Sequence, residues 1–235
     1  MRLHTTTWGS GDRTALLVHG LMADHRTWRR VGPALASRGY RVMAVDLRGH
    51  GASARAAGPE EYRPEDHADD LVETLPAGAD LAVGHSLGGL ALARAVERLK
   101  PARAVYVDPA WHLKSGPAGY VPELFVRSKS LSRDFVKEFN PCWSDDDLDA
   151  EMESVRVWDE QSAYGLVDVV GTDMWPARAA VPSLVTLADP STLISADDAA
   201  TLEGRGFTLR TVAGTGHTIH RDDFDGFMSA LDDWI

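Results

Sequence analysis

The sequence predicts an α/β protein built on a doubly wound, mostly parallel sheet with an inserted helical cap. Three observations support this fold class. Short apolar runs alternate with segments of helical character along most of the chain. The runs end at His19-Gly20, Asp46, Ser86 and Asp108, so a parallel sheet would collect these residues along one edge. Between residues 111 and 175 the alternation stops and no clear strand is predicted.

The first half of the chain supplies most of the predicted sheet. Residues 2–8 alternate weakly and predict an edge strand. Residues 14–18, 41–45, 79–83 and 103–107 are short apolar runs, as expected of strands buried on both faces. Helices are predicted between them over residues 25–37, over residues 64–75, and from the turn after the third of these runs to about residue 100.

The alternation resumes after residue 175. Strands are predicted over residues 181–188 and 207–212, and helices over 195–202 and 222–234. We therefore expect residues 1–110 and 176–235 to form one core and residues 111–175 to form a helical cap over its site. Ser144, followed by an acidic run, predicts a helix start within this insertion.

Composition narrows the possible functions. The 235 residues, 44% of them hydrophobic, are enough for one domain with a sizeable core. A net charge of −11 argues against nucleic acid or an anionic membrane surface as partner. No run approaches the ~20 apolar residues of a membrane span. The single cysteine, Cys142, and the absence of an apolar leader favour a cytoplasmic location.

The stretch Gly84-His85-Ser86-Leu87-Gly88 carries the strongest functional signal. The pattern G-x-S-x-G forces its serine into a strained turn between a strand and a helix. Glycines flank the serine because side chains there would collide where the strand and the helix approach each other. Without context the pattern often only ends a strand, but here an apolar run precedes it and a helix-forming run follows.

In this context the chain resembles the α/β-hydrolase fold superfamily. Three further motifs agree in order, namely His19-Gly20, the D-x-R-G-x-G-x-S pattern over residues 46–53, and the late Gly216-His217. The resemblance implies a nucleophilic Ser86, followed along the chain by an acidic residue and then a histidine. Only about 13 residues precede the first buried strand, so the sheet is expected to lack about one strand of the family's usual number at that edge.

The resemblance also implies the other members of a catalytic triad. His217 lies in a glycine-rich loop after the last predicted strand, at the family's histidine position, and His220 is the alternative base. Asp189 ends the penultimate predicted strand, which is the usual position of the acid. Asp108 occupies the position that some members use instead. We expect a triad of Ser86, Asp189 and His217, with Asp108 as the alternative acid.

Further site residues follow from the same resemblance. The backbone N–H groups of Leu21 and Leu87 are expected to form the oxyanion hole, with Met22 as the alternative to Leu21. Half of the aromatic side chains lie in residues 111–175; most are expected to form a small core there and some to line an apolar pocket facing Ser86. The candidate substrate-contacting residues are Met22, Trp111, Phe125, Trp143 and Trp158.

A serine at this turn predicts acyl transfer. Related dehalogenases and epoxide hydrolases have Asp at the same position, because they need a carboxylate that attacks carbon. We expect hydrolysis of carboxylic esters or lactones of small, largely apolar substrates through an acyl-enzyme. Thioester, amide and carbon–carbon bond hydrolysis remain open on the same residues. A receptor-like member that mainly binds a ligand is an alternative of another class. No cofactor is expected, no metal-ligand spacing is evident, and the oligomeric state stays open.

Overall fold

A single twisted sheet forms the centre of the molecule. A computed structural model describes residues 1–116 and 119–235, and within them seven strands pair in the order β1-β3-β2-β4-β5-β6-β7. The strands are Thr5–Trp8 (β1), Arg13–Val18 (β2), Tyr40–Val45 (β3), Leu81–His85 (β4), Ala104–Val107 (β5), Ser183–Leu187 (β6) and Thr208–Thr211 (β7). Only β1 runs antiparallel to its neighbour; the other pairs are parallel. The predicted α/β class is confirmed.

Helices connect the strands. They are Val31–Ser37 (α1), Pro64–Thr74 (α2), Leu87–Leu99 (α3), Pro122–Arg127 (α4), Arg133–Phe139 (α5), Asp145–Val157 (α6), Gln161–Tyr164 (α7), Ala196–Gly204 (α8), Ile219–Asp222 (α9) and Phe224–Ala230 (α10). Short 3₁₀ turns lie at His25–Trp28, Pro59–Glu61, Ser128–Ser130 and Val167–Val169. Across the ranges 1–116 and 119–235, none of the helices has both the length and the apolar character needed to cross a membrane.

The core lies on both faces of the sheet, as the continuous apolar runs predict. On one face, Leu16 belongs to the same buried cluster as Leu71 of α2 and Leu90 of α3. On the other face, Leu17 clusters with Leu35 of α1 and Phe227 of α10. Successive strand residues point to opposite faces, so adjacent leucines of β2 serve the two layers.

The segment between β5 and β6 is helical. It contains α4 to α7, and apart from residues 117 and 118, which lie outside the described part, residues 111–175 include no strand. Ser144 caps α6: its hydroxyl accepts the N–H of Asp147, whose carboxylate accepts the N–H of Ser144. The predicted helix start is confirmed. A small cluster of Val155, Trp158 and Ala163 forms part of this segment's own core.

One predicted helix is divided in the structure, and another is shorter than predicted. The predicted helix over residues 25–37 begins as a 3₁₀ turn, and α1 starts only at Val31. Pro33 explains the division, because proline lacks an N–H and fits only the first turn of an α-helix. The helix predicted over residues 222–234 is present as α10, Phe224–Ala230, and the side chain of Asp223 caps its start by accepting the N–H of Gly226.

Candidate active site

Ser86 lies on the turn that joins β4 to α3. Its backbone has a φ of 51° and a ψ of −117°, a strained conformation for a residue with a side chain. A Cβ at Gly84 would lie 2.6 Å from the carbonyl oxygen of Gly88, and one at Gly88 would lie 2.3 Å from that of His19. Both positions therefore require glycine, and the turn has the geometry that the sequence predicts.

His217 is oriented by a buried carboxylate. Its Nδ1 lies 2.6 Å from Oδ2 of Asp108, a fully buried residue that follows β5. The Oγ of Ser191 donates a 2.7 Å hydrogen bond to Oδ1 of the same carboxylate. Because Nδ1 faces the acid, Nε2 is the ring nitrogen left to act as a base.

The expectation that Asp189 pairs with His217 is wrong. Asp189 is exposed, its side chain makes no hydrogen bond with the described residues, and its backbone N–H donates to the carbonyl of Thr215 at 2.9 Å. The strand order explains why the alternative acid is the one that pairs. β5, which precedes Asp108, is the direct neighbour of β4, which precedes Ser86, whereas Asp189 follows β6, one strand further away.

Ser86 and His217 line one cavity of about 300 Å³. Besides Ser86 and His217 it is lined by Leu21, Leu87, Ala110, Leu113, Lys114, Gly119, Tyr120, Phe125, Leu166, Thr192 and Leu193. The Ser86 hydroxyl makes no hydrogen bond with the described residues. In ligand-free sites such contacts are often long and shorten only when substrate is bound.

The expected oxyanion donors also lie at this cavity. Leu87 is the first residue of α3, so its N–H has no partner within the helix. The N–H of Leu21 donates to none of the described residues either. The alternative donor, the N–H of Met22, is directed at Nε2 of His50 at 3.3 Å. Leu21 and Leu87 are thus better placed than Met22 to receive a negative oxygen.

The predicted substrate contacts are only partly found at the cavity. Phe125 lines it, and so does Tyr120, an aromatic residue of the same segment that was not singled out. Met22, Trp111, Trp143 and Trp158 do not line it, so their expected placement is wrong. Periodicity placed these residues near the site, but it does not give the direction in which each side chain points.

Packing explains where these four side chains go. Trp111 is fully buried against Tyr106 and Phe207, and Trp158 is fully buried in the small cluster of the helical segment. Trp143 and Met22 line a separate cavity of about 260 Å³. The indole N–H of Trp143 also donates to Asp222 at 2.8 Å.

The neighbouring histidines support the site rather than forming it. Burial lowers the pKa of His85 and of His220 well below the usual range, so both rings are neutral. Nε2 of His85 donates to the carbonyl of His217 at 2.9 Å and holds that loop. His220 stacks on Trp28 and bonds Thr27 at 2.8 Å, away from the cavity, which argues against it as the base.

A possible metal-binding cluster lies outside the cavity. Ligand atoms of His4, His25 and Asp46 lie within 4.8 Å of one another. No sequence motif marks this cluster, because the three residues are separated along the chain. Asp46 also accepts the backbone N–H groups of His25 and Ala52, at 2.8 and 2.9 Å, so its oxygens already hold two loops together.

Sequence reasoning missed Ser191 and Lys114. Ser191 bonds the acid from a loop 83 residues further along the chain, and Lys114 lines the cavity from the helical segment. No local pattern marks either residue, since each contact depends on how distant loops meet.

Family comparison agrees with this geometry. Residues 15–230 match the model of the alpha/beta hydrolase family. The chain belongs to this family. It is therefore an enzyme of the α/β-hydrolase class, and its relatives carry out several different hydrolytic reactions.

Curated relatives of this α/β hydrolase differ in sequence identity and in how much of each chain is aligned. It is 27% identical to the N-formylmaleamate deformylase of Pseudomonas putida, over 100% of this chain and 93% of that protein. It is 39% identical to an epoxide hydrolase of Caballeronia sordidicola over 37% of this chain and 27% of that protein. It is 35% identical to the probable esterase PIR7A of Oryza sativa over 50% of this chain and 46% of that protein. Of these three, two are thus matched over less than half of their own length.

Solved structures of the same fold cover nearly the whole chain. An N-formylmaleamic acid deformylase from Pseudomonas putida aligns with a TM-score of 0.82 at 23% identity, over 98% of this chain and 95% of that one. The enol-lactonase from Burkholderia xenovorans aligns with a TM-score of 0.77 at 22% identity, over 99% and 95%. At such identities these similarities establish the fold of the α/β hydrolase.

Proposed function

We propose that this α/β hydrolase cleaves carboxylic esters or lactones of small, largely apolar substrates through an acyl-enzyme on Ser86. The observation that carries the proposal is the meeting of Ser86 and an Asp108-oriented His217 at one cavity. A serine hydroxyl is a poor nucleophile at pH 7 unless a base takes its proton, and the geometry provides one. A serine nucleophile at this turn, in place of an aspartate, favours attack on a carbonyl carbon.

The proposed reaction has two stages. Oγ of Ser86 attacks the carbonyl carbon while Nε2 of His217 takes the hydroxyl proton, and the N–H groups of Leu21 and Leu87 stabilise the oxyanion. The oxyanion collapses, the carbon–oxygen bond to the alcohol breaks, and His217 returns the proton to it. Water then attacks the acyl-enzyme, gives a proton to His217, and the carboxylic acid leaves as Ser86 regains its hydrogen.

The inserted helical segment is proposed to act as a cap on this site. Leu113, Tyr120, Phe125 and Leu166 come from it and line the cavity with largely apolar side chains. A cavity of about 300 Å³ lies at the lower limit of ordinary ligand pockets. Both features favour a small substrate with an apolar acyl or alcohol group.

Hydrolysis of an N-formyl amide is a second candidate. It is favoured by the deformylase of Pseudomonas putida, which aligns with the whole chain and with 93% of its own length. The same residues would serve, with an amine as the leaving group, and His217 would have to protonate the nitrogen before the bond breaks.

A substrate panel tests the proposal and separates the candidates. Esters, lactones and N-formyl amides of matched size are compared with purified wild type and with Ser86→Ala. We expect ester or lactone turnover in wild type and a loss of about a thousandfold or more in Ser86→Ala. Efficient cleavage of N-formyl amides alone would favour the second candidate. Slow single turnover, or equal activity of the variant, would overturn both.

A further inference from the structure

Lys114 and Thr192 are exposed polar residues in the lining of a cavity whose other walls are mostly apolar. We propose that they bind an anion, and that the preferred substrate carries a carboxylate remote from the carbonyl that Ser86 attacks. This inference rests on the proposed function for the reacting centre. It adds a binding determinant at the cavity wall and narrows the substrate class to acyl compounds with one anionic end.

The contacts of Lys114 leave most of its donors free. Its Nζ donates one hydrogen bond, at 3.0 Å, to the carbonyl oxygen of Thr192. An ammonium group has three N–H donors, so two are available to a ligand. Among residues 1–116 and 119–235, no carboxylate forms an ion pair with Lys114. The side-chain hydroxyl of Thr192 also makes no hydrogen bond with the described residues and can add a further donor.

The charge balance of the cavity favours an anion. The chain has a net charge of −11, yet no described Asp or Glu lines the cavity. Asp108 is committed to His217 and Ser191. Lys114 and Thr192 are exposed, so their attraction for an anion is the screened, modest attraction of a solvent-facing lysine. A lysine placed there without an acidic partner is suited to pair with a charge brought by the ligand.

The position of Lys114 is tied to the catalytic geometry. Thr192, which accepts its hydrogen bond, follows Ser191, which bonds the carboxylate of Asp108. The loop that orients the acid therefore also anchors the ammonium group. A bound substrate would contact Lys114 with its anionic group. Its carbonyl oxygen would contact the N–H groups of Leu21 and Leu87. The distance between the anionic group and the reacting carbonyl should therefore determine which substrates are cleaved.

Matched substrates test this inference. Methyl monoesters of succinic, glutaric and adipic acid are compared with neutral esters in which an isopropyl group replaces the free carboxylate. We expect wild type to prefer the anionic ester of suitable length. Lys114→Met should raise KM for that ester by up to about fivefold, the effect of losing an ion pair at an exposed lysine. The neutral ester should change less than about twofold.

A control variant separates recognition of the anion by Lys114 from the effect of the protein's overall electrostatic field. Lys100→Met removes the same charge at the end of α3, outside the cavity lining, and should leave both KM values unchanged. Lys114→Glu should reverse the preference toward an ester carrying a trimethylammonium group at the same position. Equal losses in Lys114→Met and Lys100→Met, or equal effects on the charged and neutral esters, would overturn the inference.

A binding measurement keeps this inference distinct from the proposed reaction. Titration calorimetry of glutarate into Ser86→Ala requires no turnover. Binding that is lost in Ser86→Ala/Lys114→Met supports the anion site even if no ester is cleaved. If neutral esters are turned over through Ser86 while glutarate fails to bind, the proposed function stands and the anion site is refuted.

Discussion

At the scale of single residues, the identity of the acid that orients His217 determines which substitution should reduce activity. Asp108 is fully buried, 2.6 Å from Nδ1 of His217, whereas Asp189 is exposed at the end of β6. A carboxylate at the position of Asp108 can fix the imidazole tautomer and stabilise an imidazolium during the proposed reaction. A carboxylate at the position of Asp189 can do neither.

Paired substitutions test this assignment, because each removes one negative charge with little change in shape. Asp108→Asn should lower kcat by about a thousandfold or more, since an amide favours the wrong imidazole tautomer. Asp189→Asn should stay within about twofold of wild type. Steady-state kinetics on one reactive ester measures both. A large loss in Asp189→Asn with little loss in Asp108→Asn would contradict the assignment.

Sequence reasoning succeeds for residues that a local motif specifies. Ser86 was predicted because the glycines of its turn are required by close backbone contacts within a few residues. His217 was predicted from its place after the last strand. The choice between Asp108 and Asp189 depends on which strand lies beside β4, and that order is not written in either local sequence.

At the scale of elements, strands were predicted more reliably than helix ends. Every predicted strand is present, because burial on both faces leaves a continuous apolar run. The helices differ from prediction at their ends: Pro33 delays the start of α1, and α10 begins after its cap Asp223 and ends at Ala230, before the predicted residue 234. Proline and capping chemistry explain the two starting points.

The inserted segment shows where pattern reasoning ends. Its helical character follows from the absence of alternating apolar runs, and α4 to α7 lie there. Which of its aromatic rings reach the cavity depends on the packing of these short helices against Leu21 and Met22. Phe125 therefore lines the cavity, whereas Trp158 is part of the segment's own core.

At the scale of the whole molecule, buried neutral histidines make stability depend on pH. Burial lowers the pKa of His19, His67, His85 and His220, and it lowers that of His50 to about 3. The unfolded chain takes up protons on these rings near pH 6.5 while the folded chain does not. The free energy of unfolding should therefore fall as the pH drops below about 6.5.

One histidine acts in the opposite direction. A hydrogen bond to Asp46 raises the pKa of His25, so its stabilising contribution is complete below about pH 6.5 and is lost as the pH rises through the folded-state value. A single raised group does not offset several lowered ones. The net effect between pH 7.5 and 5 should be destabilisation by acid, above the range in which most carboxylates titrate.

His67→Phe tests this account. His67 is fully buried and neither ring nitrogen has a partner among the described residues. Replacing it should reduce the loss of stability between pH 6.5 and 5.5 by up to about 1.4 kcal/mol, the contribution of one group over one pH unit. Urea unfolding at several pH values, with unchanged m-values as the control, measures this slope. A variant whose slope equals that of wild type would count against neutral burial of His67.

The proposed reaction requires that Ser86 becomes covalently acylated. Mass spectrometry of the protein, quenched in acid within milliseconds of mixing with a reactive ester, tests it most directly. We expect a mass increase of one acyl group, located on the peptide that contains Ser86, absent in Ser86→Ala and formed far more slowly in His217→Ala, because that variant has no base to take the hydroxyl proton. Turnover with no acylated protein at any time, or an acyl group carried by another residue, would contradict it.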